Sequence, residues 1–165
     1  MLYVFHGKEI RMDNVIEIKL KSLGIILPDA PSPAANYVPF VTSGKQIYIS
    51  GQVSSDTSGF ICGKLGLNMT VEDGYEAARN CGLALLAQLK LACSGDLDRV
   101  NRVVKLVGFV NCTQDFTDQP KVINGASDLM AEVFEDNGKH ARSAVGTVSL
   151  PLGVAVEVEG IFELK

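Results

Sequence analysis

Apolar and polar positions along the chain fall into a few clear periodicities. Val15, Ile18 and Leu23 form a weak helical stripe over Val15–Leu23, with Asp13-Asn14 placed to cap it. Tyr37–Thr42 and Gln46–Ser50 alternate as half-buried strands about the turn Ser43-Gly44-Lys45, so they predict a hairpin. Pro28, Pro31, Pro33 and Pro39 exclude helix from the lead-in to it. Ser54–Gly66 is rich in turn residues and reads as a loop, with a short edge strand around Phe60–Cys62.

Thr70-x-x-Asp73 resembles a capping box and opens a long helix. Its stripe runs Val71, Tyr75, Ala78, Gly82, Leu85, Leu89 and Ala92, and Ala77, Ala78, Cys81 and Gly82 make its first half small enough to lie close to a sheet. Val100–Cys112 is β-branched-rich and long enough for a central strand. A second helix, capped by Thr117 or Asp118 with Pro120 in its first turn, buries Val122, Ala126, Leu129, Val133 and Phe134. Arg142–Leu150 and Val154–Leu164 are the last two strands, joined at Pro151-Leu152-Gly153.

The order β-β-(β)-α-β-α-β-β predicts an α+β fold, a mixed sheet with both helices on one face. The other face is then bare. On the last strand Val154, Val156 and Val158 alternate with Ala155, Glu157 and Glu159. A sheet this open covers its second face by self-association, and clefts form between subunits.

Composition narrows the chemistry. The 165 residues carry 15 basic and 19 acidic side chains, a net charge of −4, which argues against a general nucleic-acid-binding surface. No apolar run reaches bilayer length, and Leu2–Phe5 is too short for a signal-peptide core, so the expectation is a cytoplasmic chain. Cys62, Cys81, Cys93 and Cys112 lie far apart without metal-ligand spacing and read as small core residues. No phosphate-cradling loop, dinucleotide fingerprint or nucleophile elbow is present, and neither metal nor cofactor is expected. His6 and His140 are the two histidines, and a Ser-His-Asp triad would rest on His140 alone. Residues 1–11 differ in character from the rest of the chain and precede a second methionine, Met12. They read as an upstream extension, an expression remnant or an early start, which leaves 12–165 as one domain.

Five segments occur in order: Ala34–Pro39 (AANYVP), Ile49–Gln52 (ISGQ), Val122–Ser127 (VINGAS), Ala141–Val145 (ARSAV), and Leu150-Pro151 with Val156-Glu157-Val158-Glu159 shortly after. Together they resemble the Rid family (reactive intermediate deaminases, YjgF-like, also labelled endoribonuclease L-PSP), in a longer form, over about residues 22–164. The resemblance implies a chorismate-mutase-like subunit of the bacillus type, assembled as a homotrimer with clefts between neighbours. It implies hydrolysis of enamine/imine intermediates of the 2-iminobutanoate/2-iminopropanoate type to 2-keto acids and ammonia, without a cofactor.

The resemblance places Arg142 at the substrate-binding arginine. A guanidinium fork suits the carboxylate of a 2-imino acid, although a lone arginine is more often a solvated surface residue. Glu157 falls at the strand glutamate that helps to place the attacking water; the plainer reading is a polar outer strand face. Tyr37 matches the tyrosine that closes the cleft, but its neighbours depart from the family's Pro-Tyr-Ser-Gln. Ser50 and Asn124 match cleft-lining positions. Gly125, inside a helix, implies close packing or room for a ligand. The cysteine that many members carry two residues after the arginine is Ala144 here. Two other functions compete: a non-catalytic trimer that binds small carboxylates, and a ribonuclease, which the acidic charge and the lack of a histidine pair disfavour.

Overall fold

The computed structural model describes residues 15–31 and 36–165; the expected extension at 1–11, the Asp13-Asn14 cap and Pro33 lie outside them. Seven strands and three α-helices follow in order: α1 (Val15–Ser22), β1 (Phe40–Ser43), β2 (Gln46–Val53), β3 (Ser55–Asp56), β4 (Gly59–Phe60), α2 (Val71–Ala92), β5 (Val100–Asn111), α3 (Gln119–Phe134), β6 (Ala141–Thr147) and β7 (Val156–Leu164). Five strands make one mixed sheet in the order β1-β2-β7-β5-β6, with β5–β6 the parallel pair and α3 the connection between them.

Both long helices lie on one face of that sheet. Cys81 Sγ of α2 approaches Val156 O at 3.5 Å, and Gly108 of β5 sits directly under Ile123 of α3. Ile47, Ile49, Leu106, Val110, Val156, Val158 and Phe162 fill the layer between. The small residues of α2 serve the helix pair as well as the sheet: a Cβ on Gly82 would meet Leu129, and one on Gly125 of α3 would overlap Tyr75 O. Gly125 is thus explained by close helix packing. The Thr70–Asp73 capping box forms in both directions, Asp73 N–H to Thr70 Oγ1 at 3.1 Å and Thr70 N–H to Asp73 Oδ2 at 2.9 Å.

Several expectations change. The loop after β2 holds a two-stranded hairpin, β3–β4, and Cys62 pairs with Val154 only through an isolated bridge. The first strand starts at Phe40, because the stretch at Tyr37 is held to Ser50 by single hydrogen bonds, not a ladder. Asp118 stands at the N-cap of α3 without a side-chain cap bond. In α1 the expected stripe is exposed at Val15, Ile18 and Leu23, while Leu20 is buried and Ile16 packs beside it. The carboxylate of Asp98 decides that orientation, since it accepts Val15 N–H at 2.7 Å and Ile16 N–H at 2.9 Å from a distant turn. Cys81, Cys93 and Cys112 are core residues as expected; Cys62 is exposed, and so is not. Ala155, expected on the outer side with Glu157, is fully buried because it precedes β7.

Candidate functional site

The outer face of the sheet carries no helix, and Tyr48, Lys105, Val107, Glu159 and Ile161 line a shallow cavity of about 300 Å³ there. Register explains how this face gathers the predicted residues. Ile49 pairs with Gly160 and Gln52 with Val158, so Ser50 and Gly51 together oppose Glu159. This is a β-bulge, one extra residue on β2, and it turns both toward the outer face. Glu157 lies on the same face between Val53 and Phe109, its cross-strand neighbours. Its carboxylate fills the space left by the missing Cβ of Gly51. Burial, and secondarily the charge of Glu159, hold the Glu157 carboxyl above the usual glutamate range.

Ser50 spends its hydroxyl on the backbone: Oγ–H donates to Val38 O at 2.9 Å, and its N–H donates to Pro39 O at 3.0 Å. These bonds seat the segment that bears Tyr37, a residue 49% exposed. Ser50 therefore positions the tyrosine segment and keeps only acceptor capacity for a ligand.

Arg142 is elsewhere. It pairs in register with Leu106, a helix-side residue, and so projects on the helix side of edge strand β6. Its Nη1 donates to Asn124 Oδ1 at 2.7 Å and to Ser127 Oγ at 3.0 Å. Asn124 and Ser127 are three residues apart on α3 and share one helix face. Among the described residues no carboxylate pairs with Arg142, and neither Nε nor Nη2 meets an acceptor. A partly buried guanidinium is thus fixed through one nitrogen by neutral oxygens, with the Nε/Nη2 edge left open.

The structure brings Arg142 and Asn124 together, and sets Ser50, to which the Tyr37 segment is bonded, beside Gly51 and Glu157 on the other face, but it does not join the two groups. Arg142 and Glu157 lie two strands apart on opposite faces of one sheet. Sequence reasoning missed Ser127 and His140. The available signals were the i, i+3 spacing of Ser127 from Asn124 and the position of His140 two residues before Arg142 on the same strand approach. Ala144, two residues after Arg142, packs against the core and supplies no thiol. Among the described residues no group of three potential ligands could hold a metal ion, and no helix is long and apolar enough to cross a membrane.

Known proteins place this architecture. Residues 17–164 match the YjgF/chorismate mutase-like family, whose description also carries an endoribonuclease label. The chain belongs to that family. The YjgF-like fold is shared with the crystal structure of the Atu1372 protein from Agrobacterium tumefaciens, of unknown function: TM-score 0.84 and 44% identity, over 92% of this chain and 95% of that one. Protein TCP17 of Trypanosoma cruzi is 51% identical over 152 residues, 91% of this chain and 94% of its own length. A 2-iminobutanoate/2-iminopropanoate deaminase of Mus musculus is 30% identical over 132 residues, 80% of this chain and 84% of its own length. The YjgF-like family thus includes proteins named as imino-acid deaminases.

Proposed function

We propose that the chain hydrolyses small 2-imino acids, and the enamines that tautomerise to them, to 2-keto acids and ammonia, in clefts formed between copies of itself as a homotrimer. One observation carries this reading: the Arg142 guanidinium is held by Asn124 and Ser127, lacks a carboxylate partner among the described residues, and offers a two-donor edge. Such an edge binds a carboxylate through two parallel charge-assisted hydrogen bonds. Two further features support it. The helix-free face exposes Tyr48, Val107 and Ile161, and because the two groups of site residues lie on opposite faces of one sheet, a single cleft holds both only if two copies supply it.

The chemistry needs little machinery. Arg142 holds the carboxylate and aims C2 at the Glu157 half of the cleft, contributed by a neighbour. A water beside Glu157 attacks C2 as the carboxylate takes one of its protons. The imine nitrogen takes a proton from bulk water, giving a neutral carbinolamine. Glu157 then returns its proton to the amine, the C–N bond breaks, and the C2 hydroxyl loses its proton to bulk water as ammonia and the keto acid separate. A carboxyl shifted upward by burial is suited to both directions of transfer. Tyr37 covers the cleft and limits bulk water.

The test generates 2-imino acids in place with an amino-acid oxidase and follows ammonia release. The expected result is release faster than in the enzyme-free control, lost in Arg142→Ala. Pyruvate binding without acceleration would instead identify a carboxylate-binding protein.

A further inference from the structure

Behind Arg142 a chain of polar groups continues past Ser127 to residues that the proposed reaction does not use. His140 Nδ1 is 2.6 Å from Gly138 O, and its Nε2 is 3.1 Å from Ser127 Oγ. A carbonyl can only accept, so Nδ1 carries the proton of this contact. In the neutral ring Nε2 then holds a lone pair, and the Ser127 hydroxyl donates to it. That assignment leaves the Ser127 oxygen as acceptor for Arg142 Nη1–H. The order of donors is fixed from one end to the other: Arg142 to Ser127, Ser127 to His140, His140 to Gly138.

Burial, and next to it the charge of Arg142, keep the imidazole below its usual pKa despite the opposing bond to Gly138. The charged group that acts on the ring is Arg142, a cation bonded to the same Ser127 oxygen, while Lys139 beside it is paired with Asp136. A neutral ring is the consistent state. A protonated ring would turn a second cationic donor onto the one Ser127 oxygen.

Resting on the carboxylate-binding reading of Arg142, we propose that Ser127 and His140 are positioning residues: together they fix the Ser127 hydroxyl so that it and Asn124 clamp Nη1 and present Nε and Nη2, already ordered, to the ligand carboxylate. Ordering the guanidinium before binding removes rotamer entropy from the association step. Asn124 alone supplies one hydrogen bond, which leaves rotation about that contact; the second acceptor stops it.

Two measurements on the full chain test this. Long-range ¹H–¹⁵N NMR at pH 8 should find His140 protonated on Nδ1 and bare on Nε2; a proton on Nε2 overturns the proposal. Calorimetric titration with pyruvate should show Ser127→Ala and His140→Phe about tenfold weaker than wild type. Ser127→Thr, which keeps the hydroxyl, and His140→Gln, which keeps an acceptor, should stay near wild type. Melting temperatures identify any variant that has lost its fold, and Ser127→Ala removes one half-buried hydroxyl only. Unchanged affinity in Ser127→Ala, with Arg142→Ala unable to bind, overturns the positioning role and leaves the reading of Arg142 intact. A wild-type chain that binds no 2-keto acid overturns both.

Discussion

The carboxylate of Glu157 occupies the space that a Cβ on Gly51 would need. The two residues meet diagonally across β2 and β7 at the bulge, and glycine there is a requirement of the carboxylate, not of the backbone. Gly51→Ala should therefore spare the fold, since the far end of a flexible side chain can move aside. It should displace the carboxylate and lower imine hydrolysis by about 10- to 100-fold. Ammonia release beside a melting curve separates the two effects.

Arg142→Ala should reduce hydrolysis to the enzyme-free rate and abolish pyruvate binding. Arg142→Lys should recover little of either, because an ammonium cannot reproduce the planar two-donor edge. Lysine restoring full affinity would show that charge alone suffices.

Glu157→Gln should lower the rate by about 100-fold while raising stability at neutral pH. The sign comes from its upward shift. Between the unfolded and folded pKa values the folded chain binds more protons, so wild-type stability falls as pH rises through that window. The amide cannot ionise. Its melting temperature should exceed that of wild type above the window, and the two should converge below the ordinary glutamate pKa.

Gly125→Ala tests packing. Alanine gains about 0.5–1 kcal/mol of helix propensity over glycine, but its Cβ would overlap the Tyr75 carbonyl of α2, which is backbone and cannot swing away. Overpacking of about 1–3 kcal/mol should win, lowering the melting temperature by about 2–4 °C per kcal/mol. A higher melting temperature would show that the helices can separate freely.

The element order and the one-sided helix packing were legible because period-2 and period-3.6 stripes report burial directly. The capping box at Thr70 and Asp73 was legible for the same local reason. The orientation of α1 was not: Asp98, 82 residues from Ile16, decides which side docks. Arg142, Glu157, Tyr37, Ser50 and Asn124 were singled out through family resemblance. Their division between two faces was hidden, since face assignment for β6 depends on its register with Leu106. Ser127 and His140 were not picked as site residues because neither is informative until Ser127 is seen bridging Arg142 and His140.

That division offers a direct test of the intersubunit cleft. Arg142→Ala and Glu157→Gln damage different halves. Unfolding and refolding the two variants together should restore wild-type clefts at about a quarter of the interfaces by random assortment. Activity no greater than the mean of the separate variants would place the whole site within one chain.

The guanidinium of Arg142 and the carboxylate of Glu157 sit on opposite sides of one sheet within a protomer. In the proposed trimer, each copy lends one half of a cleft and borrows the other. Diluted until such assemblies come apart, the chains should fall silent while still folded, and turnover per chain should then gauge how crowded the chains are.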